Sequence, residues 1–330
     1  TGYAIPPGNV RLRSQIARWM IRAGCALTPD EILITSGASE AFFLALQTIC
    51  RPGDTIAIGS PIYFNFVQMF KMLDLKVIEI PNSPTEGLHL ESLAHALANN
   101  KISCCVSVSN FDNPLGSTLS DHRKQELVKM LAEAGVPLIE DDINGDLCHG
   151  SERPSVSKGW DRCGNVLLCS SFSKTLAPGY RVGWIAPGRF MDKLVHRKLV
   201  SNIATPSPTQ IAVAEFLENG GYAHHLRKIR KEYCTKVGRL VDAIGRYFPA
   251  GTRVTRPEGG FTLWVELPEG IDTIDLYLKA QQSNITIAPG RLFSITEQYS
   301  NCMRLNGAFW REENRWAVEE LGRLIGQIRQ

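Results

Sequence analysis

The stretch that decides how this chain folds is Leu167-Leu168-Cys169-Ser170-Ser171-Phe172-Ser173-Lys174, followed by Gly179-Tyr180-Arg181-Val182-Gly183-Trp184. The sequence predicts a short apolar strand that ends in a serine, with a lysine and then an arginine just beyond it. This arrangement suits a Schiff base between Lys174 and a phosphorylated aldehyde. Arg181 and Ser171 would hold the phosphate, because a planar guanidinium binds phosphate through two parallel hydrogen bonds. A lone S-x-x-K also occurs as a surface lysine on a turn, so the other motifs must decide between the two.

Length and composition indicate a globular chain of two domains. Its 330 residues are 44% hydrophobic and 21% charged, and a net charge of +3 gives no reason to expect nucleic-acid binding by this segment. No apolar run approaches the ~20 residues that span a bilayer, and no secretion leader is visible, so we expect no membrane partner. The nine cysteines include no C-x-x-C pair. This usage fits buried thiols in a reducing cytoplasm better than disulfides or a metal site.

Strand and helix signals alternate through the first two-thirds of the chain. The predicted strands there are residues 32–35, 55–58, 76–80, 103–108, 137–140, 166–169 and 182–186. Helices are predicted between several of them, including residues 39–49 and residues 121–134 with Ser120 as the N-cap. The alternation favours an α/β fold with a mostly parallel, seven-stranded sheet flanked by helices.

The pattern changes near residue 205. A basic amphipathic helix at about residues 209–247, broken once, precedes short strands at 253–256, 262–266, 285–288 and 303–305, and a final helix begins at about Arg311. These elements predict a smaller α+β domain. We therefore expect a short N-terminal segment (residues 1–8), a large domain (residues 9–205) and a small C-terminal domain (residues 206–330).

Candidate ligand-binding residues fall repeatedly at the carboxyl ends of predicted strands, where ligands sit in open parallel sheets. Ser36-Gly37-Ala38-Ser39-Glu40 follows the first strand and opens a helix, whose free N–H groups and dipole favour an anion. Asp141 and Asp142 follow another strand, where a carboxylate can bind the nitrogen of a pyridine ring. A plain helix cap also explains either motif when it is considered alone.

Three further residues complete the set. Asn113 lies in an N-P-x-G turn after the strand at 103–108, and its amide can donate to a phenolic oxygen. Tyr63 follows a strand end, where its ring can stack on a flat heterocycle, although a lone tyrosine is also typical of a core. Arg304 lies inside an apolar strand, and a buried arginine requires an anion, either a protein acid or a substrate carboxylate.

Together these motifs resemble those of the fold-type-I pyridoxal-phosphate (PLP) enzymes, the aspartate aminotransferase superfamily. They occur in that family's order across essentially the whole chain: the Gly37 turn, Tyr63, Asn113-Pro114, Asp141, Ser171-x-x-Lys174, Arg181 and Arg304. Residues 257–264 also resemble the family's small-domain motif. More narrowly, residues 140–147 and 169–184 are similar to the aminotransferase-like half of MocR-type GntR regulators. In those regulators a winged-helix DNA-binding module precedes this domain.

The resemblance implies roles for individual residues. Lys174 would carry PLP as a Schiff base and move the substrate's α-proton, Asp141 would pair with the pyridinium, and Asn113 would pair with the phenolate. Arg304, helped by Asn113, would bind the substrate carboxylate, and Tyr63 would stack on the ring. The phosphate ligands would be Gly37, Ala38, Ser39, Ser171 and Arg181. Tyr3 matches a tyrosine that in the family reaches the neighbouring subunit's phosphate, which implies a homodimer with residues 1–8 at its interface.

Two departures from the family pattern matter. The family usually has a tyrosine two or three residues after the aspartate, hydrogen-bonded to the phenolic oxygen, but this chain has Ile143 and Asn144. We expect Asn144 to support that oxygen less well, so the Schiff base should lose its proton at a higher pH than with tyrosine. The family's N-terminal arm is missing before Tyr3, and we expect the chain to be a fragment or a processed product of a longer protein.

Two functions follow from the resemblance. The first is a PLP-dependent aminotransferase that acts on an amino acid and a 2-oxo acid. The alternative is the effector-sensing and dimerisation domain of a MocR/GntR-type transcriptional regulator, which would bind PLP or an amino-acid adduct. That domain would reach DNA only through a separate N-terminal module. The basic run at residues 224–231 is more typical of a solvated helix face than of a nucleic-acid site.

Overall fold

A computed structural model describes residues 2–328. Its strands are β1 Leu33–Thr35, β2 Thr55–Ser60, β3 Lys76–Ser83, β4 Gly87–Leu88, β5 Ile102–Val108, β6 Leu138–Asp141, β7 Val166–Ser171, β8 Gly183–Ala186, β9 Arg253–Val254, β10 Thr262–Glu266, β11 Ala288–Pro289 and β12 Cys302–Asn306. Its α-helices are α1 Val10–Met20, α2 Ala38–Ile49, α3 Phe64–Met72, α4 Leu90–Asn99, α5 Asp121–Glu133, α6 Met191–Asn202, α7 Ser207–Glu218, α8 Gly221–Tyr247, α9 Thr273–Gln282 and α10 Arg315–Ile328.

The large sheet has the strand order β1-β8-β7-β6-β5-β2-β3-β4. Five adjacent strands, β7, β6, β5, β2 and β3, are parallel, whereas β8 runs antiparallel to both β7 and β1. The predicted α/β fold with a mostly parallel sheet is confirmed, and all seven predicted strands are present. The eighth strand, β4, has two residues and pairs antiparallel with β3. It forms because the chain turns back at Gly87, whose φ of +75° lies in the left-handed region that favours glycine.

This sheet places the candidate residues at one edge. Strands β6 and β7 are buried along their whole length, as expected for parallel strands covered on both faces. Their carboxyl ends point the same way as those of β2 and β5, since these strands are parallel. Asp141 and Ser171 are the last residues of β6 and β7, and Asn113 and Tyr63 follow the ends of β5 and β2. A parallel sheet thus brings together side chains that are far apart in the sequence.

A second, antiparallel sheet has the order β11-β12-β10-β9 and carries Arg304 on β12, paired with Trp264 on β10. The strand predicted at residues 285–288 is wrong in extent, since β11 covers only Ala288–Pro289. The helix predicted at 209–247 is broken, as expected, between α7 and α8. The break lies next to Gly220, whose φ is +78°. Ser120 caps α5 by accepting a hydrogen bond from Arg123 N, as predicted.

The long helix α8 contributes to two hydrophobic cores. Tyr222 and Leu226, near its start, pack with β1, β7 and β8 of the large sheet, as does Val213 of α7. Val237 and Ile244, further along, pack with the second sheet and with α9 and α10. The predicted boundary between residues 205 and 206 stays a prediction, and this packing favours a boundary within α8. No helix within residues 2–328 is long and apolar enough to cross a membrane.

Candidate active site

A cavity of about 260 Å³ opens at the carboxyl edge of the large sheet, where the second sheet faces it. Ten of the predicted site residues line this cavity: Ala38, Ser39, Tyr63, Asn113, Asp141, Asn144, Ser171, Lys174, Arg181 and Arg304. Gly37 and Tyr3 do not line it. The side chains that the sequence motifs singled out separately are therefore neighbours around one cavity.

The turn before α2 forms one end of the cavity. Gly37 is the N-cap of α2, with φ +90°, and no side chain caps the helix, so its first N–H groups are available to an anion. A Cβ added at Gly37 would lie 2.5 Å from Arg181 Nη2, so only glycine lets the guanidinium reach the turn. Arg181 Nη2 donates to Ser36 O at 2.8 Å, and Nη1 donates to Ser173 Oγ at 3.4 Å. Together the turn and Arg181 form a cradle suited to a phosphate.

The amine of Lys174 projects into the middle of the cavity. Within residues 2–328 no hydrogen-bond acceptor or carboxylate contacts Nζ, which lies 6.0 Å from the centre of the Phe261 ring. Burial is the largest cause that lowers the pKa of Lys174, and the positive charges of Arg304 and Arg181 lower it further. Asp141 opposes them in part by raising it. The site therefore shifts this amine towards its neutral, nucleophilic form.

Asp141 presents a carboxyl group to the same cavity. It is 6% exposed, its Oδ1 accepts a hydrogen bond from Ile143 N at 3.0 Å, and no cation pairs with it within the part of the chain described. Burial raises the pKa of Asp141 to about 7, and the negative charge of Asp142 adds to that shift. Asp142, by contrast, forms a buried ion pair with Arg153. Of the two adjacent acids, only Asp141 is left for a cationic ligand group.

Arg304 enters the cavity from the second sheet. Its Nη1 donates to Asn113 Oδ1 at 3.2 Å, and its guanidinium lies 5.5 Å and 5.4 Å from the ring centres of Phe64 and Phe293. Its Nε is buried with no hydrogen-bond partner, and no acid among residues 2–328 lies in salt-bridge contact with it. The alternative of a structural ion pair is thus not realised in the described chain. The unpaired guanidinium fits a carboxylate brought by a ligand.

Asn144 and Tyr3 are two predicted cofactor-binding residues whose side chains do not simply point into the cavity with free polar groups. The Asn144 amide donates to Phe111 O at 3.0 Å, so its N–H group is committed to the backbone of the turn that leads to Asn113. Tyr3 is 77% exposed and lies away from the cavity of its own chain. Its contact with a second subunit stays a prediction.

Other lining residues had not been predicted as site residues: Phe64, Phe66, Val108, Ile143, Ser173, Pro178, Phe261, Thr262 and Asn306. Four of them carried a signal in the sequence. Ser173 directly precedes Lys174, and Asn306 lies two residues after Arg304 on β12, so Arg304 and Asn306 project from one face of that strand. Phe261 and Thr262 belong to residues 257–264, which resemble the family's small-domain motif. Phe64 and Phe66 carried no signal, because an aromatic next to a strand end is equally typical of a core.

The residues around the cavity fit PLP. An amine without a partner, a buried carboxyl without a cation and an anion cradle match the aldehyde, the ring nitrogen and the phosphate of that cofactor. Within residues 2–328 no group of three or more His, Cys, Asp or Glu side chains is arranged to hold a metal ion.

Comparison with known proteins agrees with this geometry. The family model described as aminotransferase class I and II matches residues 1–321. The chain belongs to this family. A solved structure of a multiple substrate aminotransferase from Thermococcus profundus has a TM-score of 0.93, with 30% identity over 99% of this chain and 83% of that one. LysN, an α-aminoadipate aminotransferase from Thermus thermophilus complexed with N-(5'-phosphopyridoxyl)-L-leucine, has a TM-score of 0.92 and 29% identity over 99% and 84% of the two chains.

Regulators are found among the relatives of this aminotransferase family member as well. The HTH-type transcriptional regulator YdcR of Escherichia coli (strain K12) is 40% identical over 322 residues, which cover 97% of this chain and 69% of the regulator. The predicted resemblance to fold-type-I aminotransferases and to regulators that carry such a domain is thereby confirmed.

Proposed function

We propose that this chain is a PLP-dependent aminotransferase that exchanges an amino group between an amino acid and a 2-oxo acid. One observation carries the proposal: Lys174, Asp141, Arg181 and Arg304 line a single cavity, and none of the four is neutralised there by a protein partner of opposite charge within the described residues. Each group of the cofactor and of an amino-acid substrate would find a matching residue.

PLP, when bound, supplies an aldehyde for a covalent link to an amine and a ring that accepts electrons from the substrate. Lys174 Nζ would hold that aldehyde, and the same amine would take a proton from the substrate's α-carbon and return it. The lowered pKa of Lys174, caused mainly by burial, favours this role. Asp141 would face the ring nitrogen and hold a proton there, because an ion pair offsets the burial of its carboxylate. The α2 turn and Arg181 would bind the phosphate, and Tyr63 would cover the ring.

The substrate's α-carboxylate would bind Arg304. Asn113 accepts a hydrogen bond from Arg304 Nη1, so Asn113 fixes the orientation of the guanidinium before a substrate arrives. A preoriented arginine binds a carboxylate through two parallel hydrogen bonds, and this grip would present the α-carbon to Lys174.

Purified chain incubated with PLP tests the proposal. The expected result is a new absorbance band, a mass gain on Lys174 after borohydride reduction, and many turnovers when an L-amino acid and a 2-oxo acid are both supplied. A chain that gains no mass would refute cofactor binding, and a chain that binds PLP but transfers no amino group would refute the enzyme.

A second candidate function is a domain that senses PLP or an amino-acid adduct for a transcriptional regulator. The observation that favours it is the 40% identity with YdcR across nearly the whole chain. The replacement of the family's tyrosine by Asn144 supports it further, because a weaker contact to the phenolic oxygen would slow turnover. A stable coloured adduct with an amino acid, formed once without turnover, distinguishes the sensor from the enzyme.

A homodimer in the cytoplasm is part of the same proposal. Several apolar side chains are exposed on the N-terminal segment and on α6 and α7: Tyr3, Ile5, Leu199, Val200 and Ile211. Burying these side chains would stabilise contact with a second copy, and the family resemblance implies that Tyr3 of each chain would then reach the other's phosphate. Light scattering gives the oligomeric state, and Tyr3→Phe should weaken PLP binding only if that contact forms. The free state of every cysteine in the described chain suits a reducing compartment.

A further inference from the structure

Three polar residues lie behind the phosphate end of the cavity and are not used by the function proposed above: Glu40, Lys198 and Asn202. Lys198 Nζ lies 2.9 Å from Glu40 Oε2 and 3.1 Å from Glu40 Oε1, and it donates to Asn202 Oδ1 at 2.9 Å. None of the three lines the cavity. Lys198 is only 1% exposed, and a lysine buried so completely requires a carboxylate partner, which Glu40 provides.

Glu40 links this cluster to the phosphate cradle. Its Oε2 accepts a hydrogen bond from Ser36 N at 2.5 Å, while Ser36 O accepts one from Arg181 Nη2 at 2.8 Å. One peptide segment is therefore held by Glu40 on one side and holds Arg181 on the other. The geometry of Arg181 depends on the position of Ser36, and the position of Ser36 depends on Glu40.

The negative charge of Glu40 would repel the cofactor phosphate if Lys198 did not neutralise it. Glu40 is the third residue of α2, so its carboxylate lies at the positive end of the helix dipole, where the phosphate would also bind. An uncompensated carboxylate in that place would repel the phosphate. The ammonium of Lys198 neutralises it, so that the hydrogen bond to Ser36 is kept while the repulsion is removed.

We propose that Lys198 and Glu40 are positioning residues for the cofactor phosphate. Glu40 fixes Ser36, which orients Arg181, and Lys198 cancels the charge of Glu40. Neither residue touches the cofactor. The inference rests on the proposed function, because it assumes that PLP occupies the cavity.

Affinities for PLP and for pyridoxal, which lacks the phosphate, test this role in the full chain freed of cofactor. The absorbance of the Lys174 adduct gives both dissociation constants. Lys198→Met should raise the dissociation constant of PLP about tenfold, or ~1.4 kcal/mol, and change that of pyridoxal by less than about twofold. Adding Glu40→Gln to Lys198→Met removes the uncompensated negative charge. The dissociation constant of PLP for this double variant should return to within about threefold of the wild-type value.

Asp161→Asn is the matched control. Asp161 also pairs with a buried lysine, Lys158, at 2.9 Å and accepts a hydrogen bond from Val166 N at 2.9 Å, but it lies outside the cavity. Asp161→Asn should lower the free energy of unfolding without changing the preference for PLP over pyridoxal. If Lys198→Met does not fold, the double variant Glu40→Leu/Lys198→Met serves instead. It removes both charges and also the acceptor for Ser36 N, so the preference for PLP over pyridoxal should fall.

Two outcomes overturn the inference alone: equal loss of PLP and pyridoxal affinity in Lys198→Met, or no recovery in the double variant Glu40→Gln/Lys198→Met. An unchanged preference for PLP over pyridoxal in Glu40→Leu/Lys198→Met would do the same. A wild-type chain that reacts with neither aldehyde would overturn the proposed function as well, so the two failures are distinguishable.

Discussion

Asp141→Asn should stabilise the cofactor-free chain while weakening its hold on PLP. Burial holds the pKa of Asp141 at about 7 in the folded chain, compared with an ordinary value of 3.8. Between these values the folded state binds a proton more tightly than the unfolded state does. The free energy of unfolding therefore falls as the pH rises from about 4 to 7 and stays low above that. At about 1.4 kcal/mol for each tenfold change, the carboxylate costs the folded chain up to ~4 kcal/mol at pH 8.

An asparagine at position 141 keeps the acceptor for Ile143 N but carries no proton that titrates. The variant should match the wild type near pH 4 and exceed it increasingly towards pH 8. Urea unfolding of both cofactor-free proteins at pH 4, 6 and 8 measures the difference. With PLP bound the order should reverse, because the wild-type carboxylate then gains a cationic partner that asparagine cannot replace.

Asp146→Asn supplies the control. Asp146 also pairs with Arg153, at 2.6 Å, and although burial raises the pKa of its carboxyl, Arg153 and the hydrogen bonds of Trp19 and Tyr222 lower it more. Breaking a buried pair by removing one partner costs about 3 kcal/mol, so this variant should lose stability at pH 8. Equal effects of the two substitutions, or a stability difference for Asp141→Asn that does not change with pH, would show that Asp141 is not an unpaired carboxylate and would refute the argument.

Three other predictions concern the cavity. Lys174→Ala should gain no mass after PLP and borohydride treatment, and retention of the mass gain would mean that another amine carries the cofactor. Arg304→Gln should lower kcat/KM for amino acids about 100-fold, or ~3 kcal/mol, at unchanged PLP absorbance. Arg304→Lys should recover little because lysine lacks the planar fork. Unaltered kinetics in Arg304→Gln would exclude Arg304 as the carboxylate site. Arg291→Gln is the control, because Arg291 is half-buried, pairs with Asp272 and does not line the cavity. Asn144→Tyr should lower the pH at which the absorbance of bound PLP changes, and a spectral titration without that shift would show that the replacement of tyrosine does not matter.

Much of the site could be predicted from the sequence because its residues belong to short local motifs. The strand that ends at Ser171 determines where Lys174 lies. The small residues 36–39 predict a helix N-terminus that can bind an anion. Each of these motifs spans fewer than twenty residues. The geometry of the backbone alone places its functional residues next to the end of a strand. The order of the motifs then predicted the family, and the comparisons confirmed it.

Some features of the fold and the site could not be predicted from the sequence. The two-residue strand β4 depends on one turn at Gly87, and the extent of β11 depends on pairing with β12 rather than on its own residues. The commitment of the Asn144 amide to Phe111 O was not predictable either, because the partner is 33 positions away and is a backbone group that any residue could supply.

By itself, the sequence determined the class of fold, the candidate cofactor and the lysine that would carry it, since each follows from the chemistry and spacing of neighbouring residues. Only the tertiary structure decided which of two adjacent acids is free, because Arg153 reaches Asp142 and leaves Asp141 without a cation among the described residues. The tertiary structure also brought Lys198 beneath the phosphate turn, 158 residues from its partner Glu40. Ionic contacts of this kind depend on how helices pack against a sheet, and no local pattern of side chains encodes that packing.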